Sequence, residues 1–194
     1  MWIALSILVA VAVLALASCQ AVRAGHETAP YTVVRADGKF EVRDYPALTV
    51  VETPMVQRGN GDDGSFMRLF RFISGNNAAK EKISMTTPVL MSASGSNTTM
   101  AFVLPARLAT GDVPQPTDAA VRLQKIEAGR FAVYRFSGGR HAKNEALALE
   151  RLQGWMKTNG LAASSPPVYG YFDPPWTPTF LRRNEVMLRT AAGS

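Results

Sequence analysis

The chain has 194 residues, 47% of them hydrophobic, with a net charge of +6 and one cysteine. A lone thiol excludes an internal disulfide framework, so stability has to come from a packed core. Its basic residues are scattered, with only Arg182 and Arg183 adjacent; nucleic-acid binders gather such charge on one face or stripe, so no nucleic-acid partner is expected. Attraction to anionic headgroups or to an anionic small molecule is the better use of this sign.

Residues 2–17 read WIALSILVAVAVLALA, with no charge and Ser6 as the one polar side chain. That run is short for a membrane-spanning helix, which needs about 20 apolar residues, and suits the apolar core of a secretory signal. It leads into Leu16-Ala17-Ser18-Cys19, followed by Gln20. This resembles the lipobox of bacterial lipoproteins, in which the signal is removed and the cysteine becomes the lipidated first residue. The resemblance implies a signal peptide over 1–18, a lipidated tether over 19–30 and one domain over 31–190. It also implies export to a membrane-anchored position, on the periplasmic face of an outer membrane given Gln20 after Cys19. A signal anchor with an incidental cysteine is the alternative.

The domain opens with YTVVRADGKFEVRDY, residues 31–45. Asp37-Gly38 supplies the positive φ angles of a tight turn, and Phe40 and Val42 alternate with Glu41 and Arg43, which predicts a hairpin. ALTVVETPMV, residues 47–56, continues as a strand in which Pro54 marks an edge or a bulge. A short helix follows in SFMRLFRFI, with Asp62 and Asp63 able to cap its start and Gly75 able to end it. The six apolar side chains of residues 66–73 spread over an arc of roughly 220° at about 100° per residue, whereas packing on one surface needs about 100°. Only Arg68 and Arg71 mark a polar side. The helix therefore carries more apolar surface than one contact can cover.

KISMTTPVLMSA and TTMAFVLP, residues 82–93 and 98–105, are strand-like, and Met100, Phe102 and Leu104 alternate along the second. A Pro- and Gly-bearing connection leads to VRLQKIEAGRFAVYRF, residues 121–136, which reads as a second hairpin turning near Ala128-Gly129. A second helix follows, with Leu149, Leu152 and Met156 on one face and an end at Gly160. PVYGYF and NEVMLRT close the chain as strands. Between them, Pro174, Pro175 and Pro178 predict a rigid extended loop, which Arg182 and Arg183 could pin through Glu185. Each half thus runs strands, helix, strands, which predicts an α+β domain on antiparallel sheet, possibly curled into a barrel.

Three segments carry a family resemblance. Tyr171-Phe172-Asp173-Pro174-Pro175 with Arg182-Arg183-Asn184-Glu185-Val186, the stretch Met85-Thr86-Thr87-Pro88-Val89, and Phe136-Ser137-Gly138-Gly139 before the second helix are similar to motifs of the SOUL/heme-binding protein family. Phe172 and Ser137 are insertions relative to the plainest forms. The resemblance spans about residues 31–190 and implies a distorted antiparallel β-barrel flanked by two α-helices, built from two related halves. That architecture also occurs in gyrase-inhibitory-protein-like effector-binding domains.

In SOUL relatives a tetrapyrrole lies in an apolar groove beside the first helix. Carried onto this chain, the resemblance implies heme or a related porphyrin-like ligand against Phe66, Phe70 and Ile73, which follow i, i+4, i+7 spacing. Arg71 would reach a propionate, and Met85 and Trp176 would add contacts. Thr177 and Asp63 stand where basic residues help hold propionates in relatives. His26 in the tether, His141 at the start of the second helix, and Met67 and Met85 are the candidate axial ligands. None matches a family ligand position, so loose or absent iron ligation is expected, with no dedicated metal site. Among catalytic patterns the chain has no GxSxG elbow, no Walker loop and no zinc-type Cys/His spacing. The expected function is an exported, lipid-anchored carrier or buffer. A dechelatase-like tetrapyrrole enzyme, or an interaction lipoprotein using the same apolar face for a protein or lipid, are the alternatives.

Overall fold

The computed structural model describes residues 25–55, 63–94, 97–109 and 111–191. Cys19, the apolar run before it and Asp62 lie outside the described residues. Among the described residues there are eleven strands: β1 Glu27–Thr28, β2 Thr32–Asp37, β3 Phe40–Tyr45, β4 Leu48–Met55, β5 Thr86–Thr87, β6 Val89–Ser94, β7 Asn97–Val103, β8 Arg122–Ile126, β9 Gly129–Phe136, β10 Val168–Tyr171 and β11 Asn184–Arg189. Helix α1 is Ser65–Ile73 and helix α2 is Ala142–Thr158. Nine strands form one antiparallel sheet in the order β2-β3-β9-β11-β10-β6-β7-β4-β8.

That order has a hidden symmetry. Exchanging β3 with β8, β9 with β4, β11 with β7 and β10 with β6 reverses the order onto itself, leaving out only the extra strand β2. Each half is strand, strand, helix, strand, strand, and the centre lies where β6 meets β10 at Leu90↔Gly170. The two-half organisation expected from element order is therefore present in the topology.

Two sequence expectations are corrected. The sheet is not closed into a barrel: β8 pairs only with β4 and β2 only with β3, so both remain edges. And residues 121–136 are not a hairpin. β8 crosses to β4, Leu48 facing Ile126, while β9 pairs with β3 and β11. The first strand of each half is given to the other half.

The remaining expectations fit local chemistry. Gly38 has φ +59° in the β2–β3 turn, a value that favours glycine. Pro54 faces Thr99 on β7, but β8 pairs only as far as Glu52, so the missing N–H falls where the strand has become an edge. Asp63 Oδ1 accepts the Ser65 N–H at 3.0 Å and opens α1; Gly75, at φ +107°, follows its end.

Both helices pack on one face of the sheet, α1 on β4 and β7 and α2 on β9 and β11. Under α1, Leu69, Phe72 and Ile73 meet Val51, Met100 and Phe102; under α2, Ala148, Leu152 and Met156 meet Ala132, Tyr134 and Val186. A third cluster, with Val50, Leu90, Val103, Phe131 and Met187, lies on the opposite face. Strand alternation separates them, since Val103 and Met187 neighbour Phe102 and Val186. The three clusters draw on residues 29–188, so a chain starting at residue 25 holds every one of their members. The last residues of the polar N-terminal stretch belong to the fold too: β1 pairs parallel with β5, and Ala29 is buried.

Candidate functional site

The first candidate surface is the outer side of α1. Its buried residues are Ser65, Leu69, Phe72 and Ile73, which at 100° per residue fill one side of the rod. Phe66, Met67 and Phe70 are left 42%, 44% and 41% exposed. The rings of Phe66 and Phe70 lie nearly parallel, 13° apart with centroids at 6.0 Å, and Phe66 stands edge-on to Phe102 at 5.3 Å. They form a flat apolar wall whose foot is fixed in the core. The surplus apolar surface read from the sequence is therefore real.

The two arginines of α1 have different jobs. Arg68 donates to Thr53 Oγ1 at 3.0 Å, to the Asp63 carbonyl at 3.0 Å and to the Pro54 carbonyl at 2.7 Å, tying the helix to the end of β4. Arg71 is exposed and makes no side-chain hydrogen bond or ion pair with any described residue. It lies one turn beyond Met67, at the edge of the apolar wall, and is available to a carboxylate.

Not every expected wall residue is there. Ile73 is 4% exposed and belongs to the core, because i+7 has rotated past the edge of the outer face. Met85 is partly buried against the α1 cluster. Trp176 is 79% exposed and lies in the other half, in the Phe172–Arg183 connection between β10 and β11. Thr177, within that connection, is buried, its N–H bonded to the Pro174 carbonyl at 3.0 Å. Met67, a candidate axial ligand by sequence, is 44% exposed and part of the wall. His141 is an exposed helix-start residue and His26 an exposed turn residue. The glycines at 138 and 139 are engaged: Gly138 donates to the Thr179 carbonyl at 3.0 Å. Just before α1 the sequence runs Gly59-Asn60-Gly61-Asp62-Asp63-Gly64, a GxGxxG spacing. Two acids inside it and an antiparallel sheet around it remove the reason to read it as a dinucleotide loop.

The second candidate surface is a small open cleft on the sheet face away from the helices. Tyr31, Tyr45, Leu90, Val103, Phe131 and Met187 line it, and the N-terminal residues Thr28 and Ala29 complete its wall. Sequence reading missed this cleft. The available signal was the unbroken apolar runs in β4, β7 and β9, which mark strands covered on both faces.

A buried charge network borders the cleft. Arg43, 1% exposed, donates from Nη1 to Glu185 Oε2 at 2.7 Å and from Nη2 to Oε1 at 3.0 Å. Arg183 adds 2.6 Å to Glu185 Oε1, and Glu41 receives Arg43 Nε at 2.6 Å. Burial opposes the charge on both Arg43 and Glu185, but their mutual hydrogen bonds and attraction outweigh it. The carboxyl is held below its usual range and the guanidinium above. Burial likewise pushes the Tyr45 phenol up to about 12, with Arg43 pulling the other way. The cations here are all committed. Arg43 lies 4.2 Å from the Tyr31 ring centroid, Arg183 4.1 Å from that of Phe172, and Arg189 4.7 Å from that of Phe131. Arg189 also donates to the carbonyls of Ala128 and Glu127 at 2.9 and 2.6 Å. The cleft thus offers apolar surface without a spare positive charge, whereas α1 offers both.

The model of the SOUL heme-binding protein family matches residues 26–189. The chain belongs to that family. No curated protein matches it. Among solved structures it is similar to the EcmrR C-terminal domain, with TM-score 0.58 and 13% identity over 83% of this chain and 98% of that one. A hydrolase from Listeria innocua gives TM-score 0.58 and 12% identity over 81% and 94%. At such identities these structures speak for the SOUL chain's fold alone. The family supports a heme-like, porphyrin-type ligand for this SOUL protein.

Proposed function

We propose that the protein binds heme or a related tetrapyrrole on the outer face of α1, as an exported, lipid-anchored carrier or buffer. The observation that carries this reading is the stacked, exposed Phe66–Phe70 pair beside Arg71, a cation with no partner among the described residues. A macrocycle laid on Phe66, Met67 and Phe70 gains roughly 25 cal/mol per Å² of apolar surface removed from water. Arg71 pairs with one propionate. Affinity then comes from the ring and its acid groups, with loose or no axial ligation by Met67 or Met85 and no catalytic step. Anchoring through Cys19 would hold the domain near a membrane surface, in keeping with the apolar run over 2–17 and the cysteine that ends it.

Titrating residues 25–194 with hemin and with iron-free protoporphyrin tests this. Equal binding of both, lost in Phe70→Asp and weakened in Arg71→Glu, is the expected result; binding untouched by Phe70→Asp removes the α1 site. A second reading places a neutral apolar ring in the cleft, favoured by its concavity and by the commitment of every nearby arginine. Leu90→Trp, which fills the cleft from β6, separates the two. It leaves hemin binding intact if α1 holds the ring and abolishes it if the cleft does. Spectral change of the porphyrin during incubation would instead mark the tetrapyrrole-modifying enzyme.

A further inference from the structure

The apolar wall of α1 has a direction. At 100° per residue, Arg68 stands on one flank of the buried stripe and Phe66 on the other. Arg68 reaches down to Thr53 and Pro54 on β4, whereas the Phe66 ring meets that of Phe102 on β7. Part of the sheet runs β4-β7-β6-β10-β11-β9, with α1 on the first two of these strands and α2 on the last two. The wall therefore faces the central pair, β6 and β10, and α2 beyond them.

That central pair forms a floor. Phe102, Val89 and Tyr171 stand directly opposite one another across β7, β6 and β10, and so do Met100, Met91 and Tyr169. Residues in such a row share one face of the sheet. Val89 and Met91 pack against the core under α1, and Tyr169 against the core under α2. Val89, Met91, Tyr169 and Tyr171 are only half-buried. Tyr171 lies two strands, about 10 Å, from Phe102. Glu145 stands on the α2 side of this valley. Its Oε1 accepts the Tyr171 hydroxyl, and its main-chain carbonyl accepts that of Tyr169 at 3.3 Å.

Polarity changes from the floor upward. Both floor hydroxyls give their protons to Glu145, so neither is left to donate to an acid group. Burial, and then the bond to Glu145, raise the Tyr171 phenol above its ordinary value, which keeps that proton in place. The floor thus offers Val89, Met91, two tyrosine rings and a carboxylate. Arg140 acts on Tyr171 through charge alone, from the exposed turn before α2. On α1 the order round the helix is Phe66 nearest the floor, then Phe70, Met67 and last Arg71. Apolar surface lies low in the valley, and Arg71 at its rim.

We propose that the ring stands edge-first in this valley, its acid-free edge on the β6–β10 floor and its acid groups at Arg71, so that the ligand class is a tetrapyrrole with acids along one edge only. Glu145 is then a specificity-determining residue. An acid group pushed onto the floor would lose its water without gaining a donor, beside a carboxylate of the same sign. Protoporphyrin and hemin, with both acids on neighbouring pyrroles, satisfy that arrangement. Coproporphyrin, with an acid on every pyrrole, does not. The inference rests on the α1 reading above and adds to it the orientation of the ring and the part played by α2.

The test is titration of residues 25–194 with protoporphyrin and with coproporphyrin, read by porphyrin fluorescence. Coproporphyrin should bind at least tenfold more weakly. Glu145→Gln, which keeps an acceptor for Tyr171 and removes the charge, should tighten coproporphyrin several-fold and leave protoporphyrin unchanged. Val89→Lys, which brings a cation to the floor, should narrow the gap further, and Leu147→Gln, on the exposed side of α2, should change neither. The proposal is overturned if the parent binds both porphyrins alike, or if neither floor variant shifts their ratio. A parent that binds protoporphyrin through Phe70 but shows no preference sinks the orientation alone. Absence of protoporphyrin binding, or binding indifferent to Phe70→Asp, instead ends the α1 reading and the orientation with it.

Discussion

Helices α1 and α2 hold the same place in the two halves of the fold, yet they treat water differently. α2 runs for 17 residues and buries Ala148, Leu152 and Met156 along one stripe; of its large apolar side chains only Leu147 stands exposed. α1 is 9 residues long, buries Leu69, Phe72 and Ile73, and still leaves Phe66, Met67 and Phe70 outside. Folding alone requires only the first pattern. The second keeps apolar surface in water at a cost that packing against the sheet does not explain. The polar inventories differ as well. On the cleft face, β3 and β11 beside α2 carry the Arg43–Glu185 pair, while β4, β7 and β8, the strands in the matching places on the α1 side, present Val50, Val103 and Ile126. One half is built for retention of structure and the other for contact with something else.

The largest expected effect tests the stabilising half. Removing one member of a buried ion pair costs about 3–5 kcal/mol, so Glu185→Ala should lower the urea midpoint severely, leaving Arg43 without its main partner. The same carboxylate sets an acid limit. Its folded pKa lies below the ordinary 4.5, so its contribution is complete above that value and vanishes as pH falls through the lower folded one. A parent that melts alike at pH 7 and pH 3, or a Glu185→Gln variant with unchanged acid sensitivity, would remove this role.

Next come the two helices' inner faces. Leu152→Ala under α2 and Leu69→Ala under α1 should each lose about 2–5 kcal/mol, because both side chains are fully enclosed. Equal losses would show that the inner faces are equivalent and that only the outer faces differ. The outer face then separates the helices. Phe70→Asp should lower hemin affinity at least tenfold, a change of about 1.4 kcal/mol, and Leu147→Asp on α2 should leave it unaltered. Smallest is the stability of Phe70→Ser itself, expected within about 0.5 kcal/mol of the parent by chemical denaturation. A large loss there would make the α1 wall part of the core and end the comparison.

Local chemistry made much of this readable. The Asp37-Gly38 turn, both helices, the alternation of Met100 with Phe102 and the proline-stiffened Phe172–Arg183 segment are each dictated by neighbours a few residues away. Strand partnership is not. Nothing near Ala128-Gly129 reveals that β8 will leave β9 for β4, because a tight-turn signal is indifferent to a crossing strand with the same alternation. Arg43 and Glu185 stand 142 positions apart, so neither sequence context announces the other. The cleft is hidden for the same reason, its walls coming from the N-terminal segment and eight strands. On α1 the excess of apolar residues was legible but its orientation was not, which is why Ile73 was expected outside and Met67 was undervalued.

The exchanged first strands make the two halves mutually dependent during folding. β3 has no main-sheet neighbour beyond β2 until β9 has been synthesised, and β4 lacks β8 over the same interval. A polypeptide cut off in the connection after Leu108 would therefore expose a bare ladder instead of yielding a smaller stable unit. Long-range closure of this kind slows folding relative to a helical bundle of equal size and favours a single cooperative transition over stepwise loss of one half.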